Sequence, residues 1–263
     1  INADTALSAM SHSILNVNSN LVTNGKNAIL TRGNSDVNIN TNGKHTTQLN
    51  GDIVFNYDEA SSGTGIDSNV NVNLNGEGSY WTGNTKAQWN SDSGKPDGEK
   101  MAVSNMTLNV ENGAQWNPTY IKDDGSPTDN SGVQAIALNN LKLANGIVNL
   151  DSSKLNEDSP VKVENLSGNG TIFTDSLDNK LSISNKAAES ELTVNGTKEV
   201  TDAIAKGEAN LQALADVVKT GEKSAANTVT SDANDIIGGY SAKVDGEGNV
   251  QANTVKTIEN TTN

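Results

Sequence analysis

Short segments in which apolar and polar residues alternate, punctuated by Asn-Gly pairs, run through most of this chain. Ile14-Leu15-Asn16-Val17-Asn18, Val37-Asn38-Ile39-Asn40, Val70-Asn71-Val72-Asn73-Leu74-Asn75 and Met106-Thr107-Leu108-Asn109-Val110 place aliphatic side chains on one face and polar ones on the other. A period of two is the mark of a half-buried strand. The pattern continues through Leu141-Lys142-Leu143, Ile147-Val148-Asn149-Leu150, Val161-Lys162-Val163, Leu181-Ser182-Ile183 and Leu192-Thr193-Val194. Between these lie Asn24-Gly25, Asn42-Gly43, Asn75-Gly76, Asn112-Gly113, Asn145-Gly146 and Asn195-Gly196, which favour turns because both residue types tolerate positive φ.

Composition decides between the architectures that many short strands allow. The 263 residues include 40 Asn and 24 Gly, yet only 33% are hydrophobic and 3% aromatic, too little apolar mass for one thick core. An antiparallel sandwich needs such a core; a solenoid does not. One solenoid coil cannot offset its own chain entropy by burying a few aliphatic side chains. Stacked coils add backbone ladders and aligned polar side chains, which suits a chain rich in Asn and Thr. Segments of like character return roughly every 15 to 22 residues, close to the shorter solenoid periods. The expected fold is therefore all-β, a right-handed parallel β-helix over residues 1–200.

Two charged, turn-rich stretches, Ser91 to Lys100 and Lys122 to Gly132, lack apolar periodicity and are expected to project from the stack. After Val200 the pattern changes. Ile204, Leu211, Leu214, Val217 and Val218 share a helical stripe, which predicts a helix over 202–219 with Asp202 as N-cap and Gly221 as terminator. Gly207 weakens that helix by about 1 kcal/mol relative to Ala. Residues 241–252 read as a small hairpin. Residues 201–256 thus form a helix-plus-hairpin cap region, and 257–263 an exposed linker.

The net charge of −14 repels phosphate backbones and anionic lipid, so neither nucleic acid nor peripheral membrane attachment is expected. No apolar run reaches membrane-spanning length, so no direct membrane insertion is expected. With no Cys there is no disulfide framework and no thiolate metal site.

Several segments resemble a known family. Val161-Lys162-Val163-Glu164-Asn165-Leu166-Ser167-Gly168-Asn169-Gly170-Thr171-Ile172-Phe173, followed by Asp178-Asn179-Lys180-Leu181-Ser182-Ile183, is similar to the LSGNGTF-type coil near the end of monomeric (type Va) autotransporter passenger domains of the AIDA-like adhesin type. Gly113-Ala114-Gln115-Trp116-Asn117 and Leu138 to Leu150 resemble that family's preceding coils, and Tyr80-Trp81-Thr82-Gly83-Asn84 with Ala87-Gln88-Trp89 an earlier copy. The resemblance implies the C-terminal portion of a secreted passenger, cut near the linker that enters a membrane barrel. It also implies export through the outer membrane to the bacterial surface or medium, with coils 161–200 serving folding and secretion. In that motif Gly168 and Gly170 permit a tight corner, Leu166, Ile172 and Phe173 fill the stack, and Asn169 bonds the turn backbone.

Candidate chemistry is sparse. His12 and His45 are the only histidines, both in polar contexts, and read as surface residues. Ser91-Asp92-Ser93-Gly94 lacks the glycine that a protease nucleophile turn requires. Asp123 and Asp124 are the nearest carboxylate pair for acid–base chemistry on a polysaccharide, although adjacent residues diverge in direction. The acidic turns Asp123-Asp124-Gly125 and Asp245-Gly246-Glu247 offer weak Ca²⁺ binding at most; no other cofactor is expected. Gly221-Glu222-Lys223-Ser224 lacks the upstream glycine of a phosphate loop. Trp81, Trp89 and Trp116 either plug the coil or, exposed, bind a sugar or protein partner.

The expected function is adhesion or self-association of a surface-displayed passenger fragment, without a catalytic constellation. Its partners would be a host surface protein or glycan, or another copy of the chain. A polysaccharide-active β-helix enzyme, or a region serving only passenger folding and secretion, are the alternatives.

Overall fold

The computed structural model describes residues 1–57, 68–89, 105–125, 132–231, 239–252 and 256–258. The Ser91–Lys100 stretch, residues 126–131 and most of the expected terminal linker lie outside them. In chain order the strands begin with β1 (Thr5–Met10), β2 (Ile14–Val17), β3 (Leu21–Arg32), β4 (Asp36–Ile39), β5 (Thr47–Tyr57) and β6 (Asn69–Asn75). They continue with β7 (Tyr80–Thr82), β8 (Thr85–Trp89), β9 (Asn105–Glu111), β10 (Gln115–Asn117), β11 (Asp124–Gly125) and β12 (Gly132–Ala135). The longest follow, β13 (Leu138–Leu150) and β14 (Val161–Thr174), then β15 (Leu181–Lys186) and β16 (Leu192–Gly196). Two helices, α1 (Lys198–Ala205) and α2 (Leu211–Ala215), precede β17 (Val218–Thr220), β18 (Lys223–Ser224), β19 (Thr228–Ser231), β20 (Gly239–Lys243) and β21 (Lys256–Ile258).

The strands wind as a parallel β-helix. A first face stacks the leading parts of β3 and β5, then β7, β10, the trailing parts of β13 and β14, β16 and β19. A second face stacks β1, the trailing parts of β3 and β5, and β8. The third stacks β2, β4, β6, β9, the leading parts of β13 and β14, β15 and β17. Each of these pairings is parallel.

Coil length departs from the expected spacing in the middle of the stack. The in-register residues Asn16, Asn38, Asn71, Thr107, Asn140, Asn165 and Asn185 on the third face lie 22, 33, 36, 33, 25 and 20 residues apart in turn. The coils at the two ends of the stack are thus close to the recurrence in the sequence, and those in the middle are longer.

Inward side chains line up by type. On the third face Val17, Ile39, Val72, Leu108, Leu141 and Leu166 occupy one row, and all but Val17 are buried. Trp81 and Trp116 share a row on the first face, fully buried and stacked with centroids 5.7 Å apart and planes 13° apart. Each indole N–H donates to a backbone carbonyl of the preceding coil, Trp81 to Gly51 at 2.9 Å and Trp116 to Gly83 at 3.1 Å. A buried indole without that acceptor would carry an unmet donor.

The corner between the first and second faces explains where the coil changes shape. Asn24, Asn50, Thr82 and Asn117 are in register, and the next residues are Gly25, Gly51, Gly83 and Pro118. A Cβ on Gly51 would sit 2.5 Å from the Gly25 carbonyl oxygen, and one on Gly83 2.2 Å from that of Gly51. Only glycine fits such a stacked corner, and Gly51 also holds φ at +121°. Proline, with φ locked near −65°, cannot repeat the corner. At Pro118 the chain leaves the second face, and later coils keep only the first and third. The expected projecting loop 122–132 is instead partly folded: β11 pairs antiparallel with β12, which pairs antiparallel with β8 and ends the second face.

The C-terminal end also differs from expectation. The single helix over 202–219 is two short helices, because Gly207 adopts φ +74° and breaks the stripe. Thr197, not Asp202, stands at the first N-cap, and the Asn210 side chain caps α2 by accepting from Ala213 N–H at 2.8 Å. Val218 joins β17, and Gly221 turns the chain between β17 and β18 rather than terminating a helix. Val200, Leu211, Leu214 and Ala215 are buried, with α1 and α2 packed on β16 and β19. The hairpin read over 241–252 is present at its tip, where Val244 bridges Val250, while β20 pairs antiparallel with β19 and β21. Parallel stacking thus ends in antiparallel strands and helices, which occupy the last edge.

Replacing Gly51 by Ala is expected to destabilise the chain by at least about 2 kcal/mol in chemical denaturation, through both strain and overlap. Gly76 also has positive φ but nothing within 4 Å of an added Cβ. Its Ala variant should lose only about 1 kcal/mol. Equal losses at the two sites would remove the corner argument.

Candidate functional site

Two features of the surface follow from this geometry: polar ladders along the faces, and a cleft at the step where the coil loses its second face. On the third face Asn16, Asn38, Asn71, Thr107, Asn140, Asn165 and Asn185 form one outward row. Asn38 Nδ2 donates to Asn16 Oδ1 and Asn71 Nδ2 to Asn38 Oδ1, both at 2.9 Å, and Asn185 Nδ2 donates to Asn165 Oδ1 at 3.2 Å. A second row on the first face repeats the motif: Asn24 to Asn2 and Asn50 to Asn24 at 3.0 Å, then Asn117 to Thr82 and Asn149 to Asn117 at 3.2 Å. In every pair the later coil donates to the earlier one.

The cleft, of about 370 Å³, lies between the segment after Pro118, β12 and the 151–162 region. Ile121, Ile136, Leu155 and Val161 supply its apolar lining. Tyr120, Lys122, Asp123, Gln134, Asp158 and Lys162 supply its polar and aromatic groups. Tyr120, 41% exposed, is held on both sides. Its N–H donates to the Lys154 carbonyl at 2.8 Å, and the preceding Thr119 carbonyl accepts from Asn84 Nδ2 at 2.9 Å. Asn84 N–H in turn donates to Asp52 Oδ1 at 3.0 Å, while Asp52 Oδ2 meets the buried Lys86 ammonium at 2.9 Å. Such a network fixes the main chain that presents the exposed ring, which lowers the ordering cost at binding.

The turn that carries Lys154 depends on Asp151. Its Oδ1 accepts from Ser153 N–H at 3.0 Å and Ser153 Oγ at 2.6 Å, and Lys154 Nζ donates to Oδ2. The Lys154 hydrogen bond, followed by that of Ser153, holds the Asp151 carboxyl below its ordinary range against a smaller opposing effect of burial.

The sequence-derived candidates are placed as follows. Trp81, Trp89 and Trp116 are 0%, 5% and 0% exposed, so their rings plug the coil and offer no surface to a partner. Asp123 lines the cleft and accepts from Ala135 N–H at 3.0 Å, whereas Asp124 is an exposed residue of β11 and is not brought to the same place. The second carboxylate of the cleft is Asp158, which periodicity alone could not single out. Leu166 is buried, and Gly168 takes φ +84° where a Cβ would lie 1.9 Å from the Leu143 carbonyl oxygen. Asn169 bonds the next coil rather than its own turn, accepting from Glu191 N–H at 2.9 Å. A Cβ on Gly170 would sit 2.7 Å from the Gly146 oxygen. Phe173 departs from its expected role: it lies in the outward row between Asn149 and Asn195, half-buried, while Ile172 fills the core. The alternation of the strand sends neighbours to opposite faces.

His12 is exposed beside β1 and His45 half-buried before β5. The second acidic turn uses its carboxylate internally, Asp245 Oδ1 accepting from Glu247 N–H and Asn249 N–H at 2.9 Å. Among the described residues no group of three or more His, Asp or Glu side chains is placed to hold a metal ion, and no helix is long and apolar enough to cross a membrane. No family model matches the chain, and neither curated proteins nor solved structures give a match.

Because the Asp151 pKa is lowered on folding, its stabilising contribution is present above about pH 4 and is lost as pH falls through the folded pKa. Asp151→Asn should therefore melt below the wild type at neutral pH, with the gap narrowing under acid. A gap that is constant from neutral to acid pH would contradict this.

Proposed function

We propose that the chain is part of a surface-displayed or secreted bacterial passenger, of the autotransporter adhesin type, that works in adhesion or self-association. The observation that carries this reading is the unbroken register of outward Asn and Thr side chains, repeated from coil to coil. Coils stack at about 4.8 Å, so equivalent amides recur at a fixed interval along the face. Each amide contact contributes only about 0.5 to 1.5 kcal/mol, and a partner that engages many at once gains by multivalency. A host surface protein or glycan, or a second copy of the chain, suits such a face. The resemblance of 161–183 to terminal passenger coils supports the secreted setting. Displayed on a non-aggregating bacterium, the chain should increase settling or host-cell attachment; no change in either would sink the proposal.

A second reading, action on a polysaccharide, is favoured by one observation: Asp123 and Asp158 line a single cleft with the exposed Tyr120. A sugar ring stacked on the tyrosine would place hydroxyls or a glycosidic oxygen near carboxylates able to move protons. Under this reading a polysaccharide screen finds turnover that Asp123→Asn and Asp158→Asn each lower by about two orders of magnitude or more. Wild-type protein that cleaves nothing in the screen would eliminate it.

A further inference from the structure

The cleft beside Pro118 brings together groups that the coil elsewhere keeps on opposite faces, and its walls are tied to their surroundings. Asp123 Oδ1 accepts from Ala135 N–H at 3.0 Å, and Ile136 N–H donates to the Thr85 carbonyl at 3.1 Å. On the third wall Asn156 Oδ1 accepts from Asp158 N–H at 2.9 Å, and the Asn156 carbonyl accepts from Ser159 N–H at 3.1 Å, which sets the turn that carries Asp158. The concavity is therefore organised before a ligand arrives. Its volume of about 370 Å³ lies near the small end of ligand clefts, which run from about 300 to 1,000 Å³. A mono- or disaccharide suits that space better than a long polymer.

The rim is polar and charged. Lys122, Lys162, Asp123 and Asp158 are all exposed along it, and no ion pair joins them. Two positive and two negative charges cancel, so the rim selects neither a polyanion nor a polycation. It offers donors on the lysines, acceptors on the aspartates and both on the Gln134 amide. A hydroxyl group donates and accepts at once, and a ring that bears several satisfies such a mixture.

The inner wall is aliphatic. Ile121 and Val161 are buried, while Ile136 and Leu155 are half-buried and line the same space. A hydroxyl pressed against them would lose its water without gaining a partner. A methyl group there gains by burial. A wholly apolar ligand fits no better, since it would strip water from the charged rim. Tyr120, 41% exposed, offers its ring to the C–H face of a pyranose.

We propose that the cleft binds an N-acetylated hexosamine. The pyranose lies on Tyr120, its hydroxyls bond the lysine and aspartate side chains, the acetamido N–H donates to a carboxylate, and the acetyl methyl packs on Ile136 and Leu155. The acetamido group unites a donor, an acceptor and a methyl, which are the three requirements that the rim and the inner wall impose together. The inference rests on the adhesion reading only for its setting, in which the sugar belongs to a surface glycan. Recognition itself rests on the cleft and not on the Asn ladders.

Ligand-observed NMR titration of the full chain tests this with the methyl glycosides of N-acetylglucosamine, N-acetylgalactosamine, glucose and galactose. At least one N-acetylated glycoside should bind about tenfold or more tightly than its hydroxyl parent, the discrimination that a methyl-sized group gains in an apolar pocket. Saturation transfer should be strongest at the acetyl methyl. Tyr120→Ala removes an exposed ring and should weaken binding about tenfold. Ile136→Asn should bring the two sugar types within about threefold of each other. Failure of both N-acetylated glycosides to bind, or affinities equal to those of their parents, overturns the proposal. So does unchanged binding in Tyr120→Ala. Bacteria that display the chain separate this inference from the adhesion reading: attachment without sugar binding removes the cleft's role and leaves adhesion standing, and sugar binding without attachment or settling does the reverse.

Discussion

The whole molecule depends on parallel backbone pairing between coils held in strict register. Every hydrogen-bonded step along the axis brings equivalent residues of successive coils together, so one register decides the core, the corners and the surface at the same time. Aliphatic residues stack on aliphatic residues, Trp81 on Trp116, Gly83 against Gly51 and Asn71 on Asn38. A slip of one residue would turn every inward side chain outward. Few aromatic residues suffice because each coil buries its apolar row against two neighbours rather than within itself.

Polar side chains extend this economy. An outward Asn on an isolated strand would be fully hydrated and contribute little; stacked in register, its amide donates to the same group one coil earlier. The ladders therefore stabilise the stack while presenting a regular surface, and structural and recognition roles fall on the same residues. The cleft is the exception to this regularity. It exists because Pro118 stands where earlier coils have glycine, so a change of one residue type at a corner ends a face and opens a concave site lined by Tyr120, Asp123 and Asp158.

Much of the fold was legible in the sequence. The alternation in Val70 to Asn75 and Met106 to Val110 identified β6 and β9 with their inward residues, and the choice of a parallel helix over a sandwich followed from the shortage of apolar mass. The coil length was legible only at the ends of the stack, since the middle coils add a second-face strand or a loop that apolar periodicity does not register. The helix over 202–219 failed because apolar spacing cannot see that Gly207 takes positive φ or that Val218 is claimed by a strand. Phe173 was misplaced by one step of alternation, which a hydrophobic count cannot detect.

The candidate site divides in the same way. Sequence alone determined that the chain builds strands, that glycine and asparagine make its corners, and that the tryptophans belong to repeated coils, because these properties are local to a few residues. Which carboxylates share a cleft, and that Lys122 and Lys162 stand with them beside Tyr120, were decided only by the tertiary structure. Such neighbours are separated by one or more coils of chain, and their meeting is fixed by the register in which those coils stack.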